Sequence, residues 1–262
     1  MRFASLGSGS RGNATLVEEG STRLLVDCGF SAREAERRLL RLGCEPGQLS
    51  GILVTHEHND HLHGVYTLAR RYGLRVWMTQ GTWRAGEETA ARTARSLRAW
   101  GMPELFSSHE PFTVGDLRVD PFPVPHDARE PSQFLLSNGA VRLGLLTDVG
   151  RTTAHIEAQL DGCHALVLEC NHDVQMLAEG RYPASVKARI AGPQGHLSNA
   201  QAAALLGGLD RSHMQHVVAA HLSEQNNAPA LVRAALSAAL DCEPHWITLA
   251  SQREGFGWRN VD

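Results

Sequence analysis

Apolar residues recur along this chain in two rhythms. Short alternating or continuous apolar stretches at 2–6, 14–18, 22–27 and 52–55 predict strands, divided by turns rich in glycine and serine. Between them, Ser31-Ala32-Arg33-Glu34 has the form of a capping box. It opens a helix predicted to run to about Leu42, with Gly43 as its stop. Residues 62–72 read as a helix ended by Gly73, 75–78 as strand, and 82–100, rich in alanine and arginine, as a long helix. The middle turns to strands at 117–124, 133–136 and 141–147. Afterwards helices and strands alternate, with strands at 165–169, 216–220 and 246–250 and helices at 199–206 and 227–240. Pro229 is tolerated in a first helical turn, where its missing N–H costs no hydrogen bond. No linker, repeat or shift in composition divides the chain. The expectation is an α/β (α+β) fold: an αββα sandwich, two β-rich halves flanked by helices, as one domain over residues 1–262.

One segment breaks the rhythm. Directly after the apolar run Gly51-Ile52-Leu53-Val54 come Thr55-His56-Glu57-His58-Asn59-Asp60-His61. Crowded proton-binding side chains are costly to desolvate unless something satisfies them. A divalent metal does so, because imidazole nitrogen and carboxylate oxygen are ligands of zinc and its neighbours. In an extended segment His56 and His58 point to the same side. Asp60 and His61 fall where the chain turns into a helix and can reach a second ion. The His-Glu-x-x-His pattern of zinc proteases is excluded, because position 60 is Asp and the preceding residues read as strand. A binuclear site is expected.

Bulk properties narrow the setting. A hydrophobic content of 42% and a charged content of 20% are those of an ordinary globular chain. The net charge of −3 argues against a surface that coats polyanions, although local basic patches stay open. Lys187 is the single lysine, so nearly all positive charge is arginine. Cys28, Cys44, Cys163, Cys170 and Cys242 are odd in number, widely spaced and without a C-x-x-C pair, which predicts reduced, mostly buried thiols. The first ten residues lack the apolar core of a signal peptide, and no apolar run approaches a membrane span. A cytoplasmic protein without membrane partners is expected.

A binuclear site needs further ligands, and three polar residues follow predicted strands where such ligands belong. His126 follows Pro123-Val124-Pro125, Asp148 follows the strand ending at Thr147, and His221 follows Val217-Val218-Ala219-Ala220. The order His56-x-His58-x-Asp60-His61, His126, Asp148, His221 resembles the metallo-β-lactamase superfamily, and Leu25-Val26-Asp27-Cys28-Gly29 resembles its first motif. Five further segments resemble its YycJ/WalJ-like exonuclease subfamily. They are Ser5-Leu6-Gly7-Ser8-Gly9-Ser10-Arg11-Gly12-Asn13, Pro125-His126-Asp127-Ala128-Arg129-Glu130-Pro131, Glu169-Cys170-Asn171-His172-Asp173, Gly195-His196-Leu197-Ser198-Asn199 and His221-Leu222-Ser223-Glu224-Gln225-Asn226-Asn227. Gln133 departs from the pattern, standing where glycine is expected.

The resemblance implies a metallo-β-lactamase αββα sandwich. It implies one ion on His56, His58 and His126 and another on Asp60, His61 and His221, with Asp148 bridging. Zinc suits the imidazole-rich set and manganese suits N/O ligands. Paired ions suit in-line phosphoryl displacement. The superfamily's oxygen-reducing branch resembles His-x-Glu-x-Asp at its first ligands, and His58 disfavours that chemistry. The segment from Asp148 to His221 is too short for a β-CASP domain, and it offers no long basic arm for gripping tRNA. Glu169 and His196 resemble a pair that helps protonate the leaving oxygen in tRNA 3′-processing nucleases. Arg11 and Asn13, in a loop whose amides could cradle phosphate, and Lys187 and Arg189 are candidate substrate contacts. The expected activity is a metal-dependent phosphodiesterase, a 5′→3′ exodeoxyribonuclease on single-stranded DNA ends, with Asp60, Glu169 and His196 catalytic. The modest net charge keeps open a hydrolase of the same fold on a small substrate, a cyclic phosphodiester or a thioester. A complete ligand set speaks against a non-catalytic metal-binding module.

Overall fold

Each half of the chain lays down antiparallel strands first and parallel strands after. The structure, a computed structural model, describes residues 1–92 and 101–262. The opening strands are β1 (Arg2–Gly7), β2 (Ala14–Glu19), β3 (Thr22–Val26), β4 (Gly51–Leu53), β5 (Arg75–Met78) and β6 (Glu104–Leu105). β1, β2 and β3 form an antiparallel meander, and β3 to β6 then pair in parallel. The second half repeats this logic with β7 (Phe112–Val114), β8 (Leu117–Pro123), β9 (Ser132–Ser137), β10 (Arg142–Leu146), β11 (Ala165–Glu169), β12 (His216–Ala220) and β13 (Thr248–Leu249). Here β7 to β10 are antiparallel and β10 to β13 parallel. The final strand, β14 (Phe256–Asn260), returns to the first sheet and pairs antiparallel with β1. Among the described residues this makes two sheets of seven strands each.

The helices are α1 (Ala32–Arg41), α2 (Asn59–Leu62), α3 (Val65–Tyr72), α4 (Gln80–Arg92), α5 (Ala154–Leu160), α6 (Val174–Glu179), α7 (Ala184–Ile190), α8 (Asn199–Gly208) and α9 (Pro229–Leu240). Alternation along the strands sorts side chains between layers. Leu24, Val26, Leu53, Leu143, Leu145, Val167 and Val218 meet between the sheets. Their neighbours Leu25 and Ile52 instead pack against Ala35, Leu39 and Leu68 of α1 and α3. Leu166, Leu168 and Val217 pack against Leu160, Leu205 and Leu236 of α5, α8 and α9. The result is an αββα sandwich, as expected. Strands buried on both faces account for the near-continuous apolar runs that made them readable.

Several local expectations shift. Ser31 caps α1 by accepting from Glu34 N, but the Glu34 carboxylate turns to Arg37 and Arg38 instead of reaching back. The helix expected over 62–72 divides into α2 and α3 at Gly64, whose N–H donates to Cys28 O at 2.8 Å. A Cβ on Gly64 would stand 2.0 Å from Phe30 O, so only glycine admits this approach. Residues 93–100 of the helix expected over 82–100 lie outside the described residues. The last expected strand shortens to β13, preceded by a 3₁₀ turn at Pro244–Trp246, and β14 was not anticipated. Cys28, Cys44, Cys163 and Cys170 are buried and all five cysteines are free. Among the described residues no helix is long and apolar enough to cross a membrane.

Gly64→Ala is predicted to destabilise the protein by about 3 kcal/mol or more, because backbone cannot step aside as a side chain does. Urea unfolding followed by circular dichroism checks this. A loss within about 0.5 kcal/mol, the ordinary range for a surface change, would contradict it.

Candidate metal centre

Strand ends build the site. Asp27 follows β3, residues 55–61 follow β4, Asp148 lies beyond the end of β10, Glu169 ends β11 and His221 follows β12. Asp27, Asp148 and His221 all adopt left-handed backbone, with φ of 61°, 58° and 54°. That conformation costs a non-glycine residue roughly 1–2 kcal/mol. Its recurrence at three strand ends shows backbone strain held where side chains must be aimed.

Hydrogen bonds fix which imidazole nitrogens stay bare. Asp27 accepts from Thr55 N and Thr55 Oγ1, each at 2.8 Å, so the Thr55 hydroxyl can accept from His56 Nδ1–H at 2.9 Å. His56 Nε2 is then a lone pair, buried and without a hydrogen-bond partner. His126 Nδ1 donates to Gly195 O at 3.0 Å, and His58 Nε2 donates to Asp127 O at 3.2 Å. These bonds leave His126 Nε2 and His58 Nδ1 facing each other at 3.2 Å, two lone pairs nose to nose. A cation suits that arrangement and little else does. His56, His58 and His126 form one group that could hold a metal.

The second group is Asp60, His61, Asp148 and His221. His61 Nδ1 donates to Asp27 Oδ2 at 2.7 Å, which turns Nε2 toward Asp148 Oδ2 at 3.0 Å and Asp60 Oδ2 at 3.5 Å. His221 Nδ1 faces Glu169 Oε1 at 3.2 Å, and its Nε2 faces Asp60 Oδ2 at 3.3 Å and Asp148 Oδ1 at 3.4 Å. Asp148 Oδ1 also lies 3.9 Å from His126 Nε2, so this carboxylate stands between the two groups. Burial works against charge on His61, yet Asp148, Asp27 and Asp60 outweigh it and hold its pKa well above 6.5. Burial likewise opposes charge on His221, but Asp148, Asp60 and Glu169 bring it up to about 10. His56 goes the other way, pushed well below 6.5 by burial and by its neighbour His61. Protons and a divalent cation compete for the same lone pairs here. Buried bare nitrogens among carboxylates fit divalent ions.

Beside these groups lies an acid–base pair. Glu169 is fully buried; its Oε2 accepts from Val149 N at 2.9 Å and Leu197 N at 3.1 Å, while Oε1 meets His196 Nδ1 at 2.7 Å. Burial would raise the Glu169 carboxyl, but His196 overcomes it and lowers the pKa to about 2. Burial works against charge on His196 too, and Glu169 outweighs it, raising the imidazole above 6.5. His196 keeps 17% of its side-chain surface, so it is the member of the pair that reaches solvent.

The four expected substrate contacts fare differently. Asn13 is buried: its Oδ1 accepts from Ser8 Oγ and Gly9 N, and its amide nitrogen lies 3.3 Å from Asp60 Oδ2 and 3.1 Å from His61 Nε2. It therefore braces the metal loop, with no amide group left over for a ligand. Arg11 is exposed and pairs with Glu224, Arg189 is exposed and pairs with Asp127, and Lys187 donates to Ala178 O. Sequence reasoning missed Thr55 as a partner of Asp27. It also missed Asn171, whose amide nitrogen donates to His221 O at 3.1 Å. Thr55 was signalled only by its place before His56, and Asn171 only by its place in the Glu169-Cys170-Asn171-His172-Asp173 segment.

Two sheets packed face to face, with imidazoles and carboxylates gathered at strand ends, define a metallo-hydrolase. Residues 22–222 match the family described as Beta-lactamase superfamily domain, and the chain belongs to the metallo-β-lactamase superfamily. It is 37% identical to Exodeoxyribonuclease YycJ of Bacillus anthracis, over 92% of this chain and 89% of that protein. It is 32% identical to Exodeoxyribonuclease WalJ of Streptococcus pneumoniae, over 86% and 83%. In structure it is similar to the metallo-beta-lactamase fold protein YhfI from Bacillus subtilis, with a TM-score of 0.73 over 98% of each chain and 15% identity.

The Glu169 shift makes a prediction for the metal-free protein. Its carboxyl is lowered from 4.5 to about 2, so its contribution to stability is full above pH 4.5 and lost as the pH falls toward 2. Glu169→Gln should flatten stability against pH within that window. Urea midpoints measured from pH 2 to 6 would refute this if both proteins kept the same slope.

Proposed function

We propose that this chain is a metal-dependent phosphodiesterase, an exodeoxyribonuclease working 5′→3′ on single-stranded DNA ends. In this reading it is a cytoplasmic protein, one hydrolase domain over residues 1–262, with a binuclear centre of zinc or manganese. The observation that carries the reading is the Glu169–His196 bond of 2.7 Å, set beside two ligand groups that meet at Asp148. A hydrolase that expels a poor alkoxide leaving group needs such a proton donor. The YycJ and WalJ relatives, exodeoxyribonucleases by name, support the same substrate class.

His56, His58 and His126 would hold one ion and Asp60, His61 and His221 the other, with Asp148 shared. Divalent ions there supply Lewis acidity, lowering the pKa of water and stabilising charge on phosphate oxygens. Asp60, which keeps 22% of its side-chain surface, would orient the attacking water from the solvent side. Asn13 holds Asp60 in place. Glu169 keeps His196 protonated, and His196 passes that proton to the departing oxygen. Arg11, Lys187 and Arg189 meet the phosphates of the strand.

Mn²⁺ or Zn²⁺ should enable release of mononucleotides from 5′-labelled single strands. Absence of any DNA or RNA degradation with every divalent ion tried would overturn the reading. Asp60→Ala should abolish turnover with the fold retained by circular dichroism, and near-wild-type turnover with two bound ions would remove it from the site. His196→Ala should slow turnover by about 10²–10⁴-fold without changing metal content. The loss should shrink for a p-nitrophenyl ester, whose leaving group needs little protonation. Equal losses on good and poor leaving groups would assign His196 to binding instead.

A further inference from the structure

The residue that departs from the subfamily pattern sits behind the shared carboxylate. β9 and β10 pair in register from Arg142↔Ser137 to Leu145↔Phe134, and the ladder ends there. By that register Thr147 would face Ser132, whose main-chain N–H goes instead to Thr55 O at 2.9 Å. The Gln133 side chain continues toward β10 in its place. Its Oε1 accepts from Thr147 N at 3.0 Å and its Nε2 donates to Thr147 O. Gln133 is buried, with 1% of its surface exposed. A carboxamide thus supplies the rung that the backbone ladder lacks.

The next residue is Asp148, in its left-handed conformation. Beyond it Val149 N donates to Glu169 Oε2 at 2.9 Å, and Gly150 N donates to Pro125 O at 2.8 Å. The tethers after Asp148 come from Glu169 and the His126 loop; among the side chains of the described residues, the tether before it comes from Gln133. Glycine at 133 could make no such bond. We infer that Gln133 is the positioning residue for Asp148, fixing the strand end so that its carboxylate falls between the two ligand groups. This rests on the reading of Asp148 as the shared ligand.

The test is equilibrium binding of Co²⁺ to wild type, Q133A, Q133E and D148N, with the visible absorption of the bound cobalt recorded. Q133E keeps the size of the side chain but offers Thr147 O no donor when ionised. L143V, in the same strand pair but distant from Asp148 in sequence, controls for loss of stability alone. Wild type should take two ions. Q133A and Q133E should bind one of them at least about tenfold more weakly with an altered cobalt spectrum, and L143V should keep the wild-type spectrum despite a lower melting temperature. If D148N loses an ion while Q133A and Q133E match wild type in affinity and spectrum, this inference falls and the ligand reading stands. If D148N itself matches wild type, the ligand reading falls and the inference with it. A spectrum altered equally in L143V would reduce Gln133 to a packing residue.

Discussion

Lone pairs repel, and this site asks many of them to converge. His56 Nε2, His58 Nδ1 and His126 Nε2 aim at one small volume, and His61 Nε2, His221 Nε2, Asp60 and Asp148 at another beside it. Nothing in the ligands themselves favours that gathering. It is imposed by what each ligand's other end is tied to: Asp27 behind His61, Thr55 behind His56, Gly195 O behind His126, Asp127 O behind His58 and Glu169 behind His221. Those ties explain why strain accumulates at Asp27, Asp148 and His221, and why the strand ends, the stiffest available anchors, carry the site.

The same constraint orders the acid–base pair. Glu169 is buried, accepts two main-chain N–H bonds, and divides its remaining oxygen between His196 and His221. One carboxylate oxygen therefore holds both His196 and His221. Their rings stack at 5.2 Å beside that shared oxygen.

Much of this was legible in the sequence, for identifiable reasons. The strands at 22–27, 52–55, 165–169 and 216–220 were readable because both their faces are buried, which leaves unbroken apolar runs ending at polar ligands. The loop from His56 to His61 was readable because so many ionisable groups packed so closely are hard to satisfy without a bound cation. β14 was not, because Phe256-Gly257-Trp258-Arg259-Asn260 is an edge strand defined by its pairing with the far end of the chain. The break at Gly64 depends on the distant Phe30 carbonyl. Asn13 was placed in the right loop and given the wrong direction, since its motif does not tell whether the amide faces a ligand or the loop beneath it. Gln133 was visible as a departure, but its partner Thr147 belongs to another strand.

The division of the chain into two similar halves gives the centre a mechanical meaning. The first group draws His56 and His58 from the first sheet's side and His126 from the second; the other group draws Asp60 and His61 from the first and Asp148 and His221 from the second. With ions in place each group is a rivet through the seam where the two layers meet. Neither half supplies a whole group by itself, so ions seated there would tie the two layers together and add their binding energy to the join.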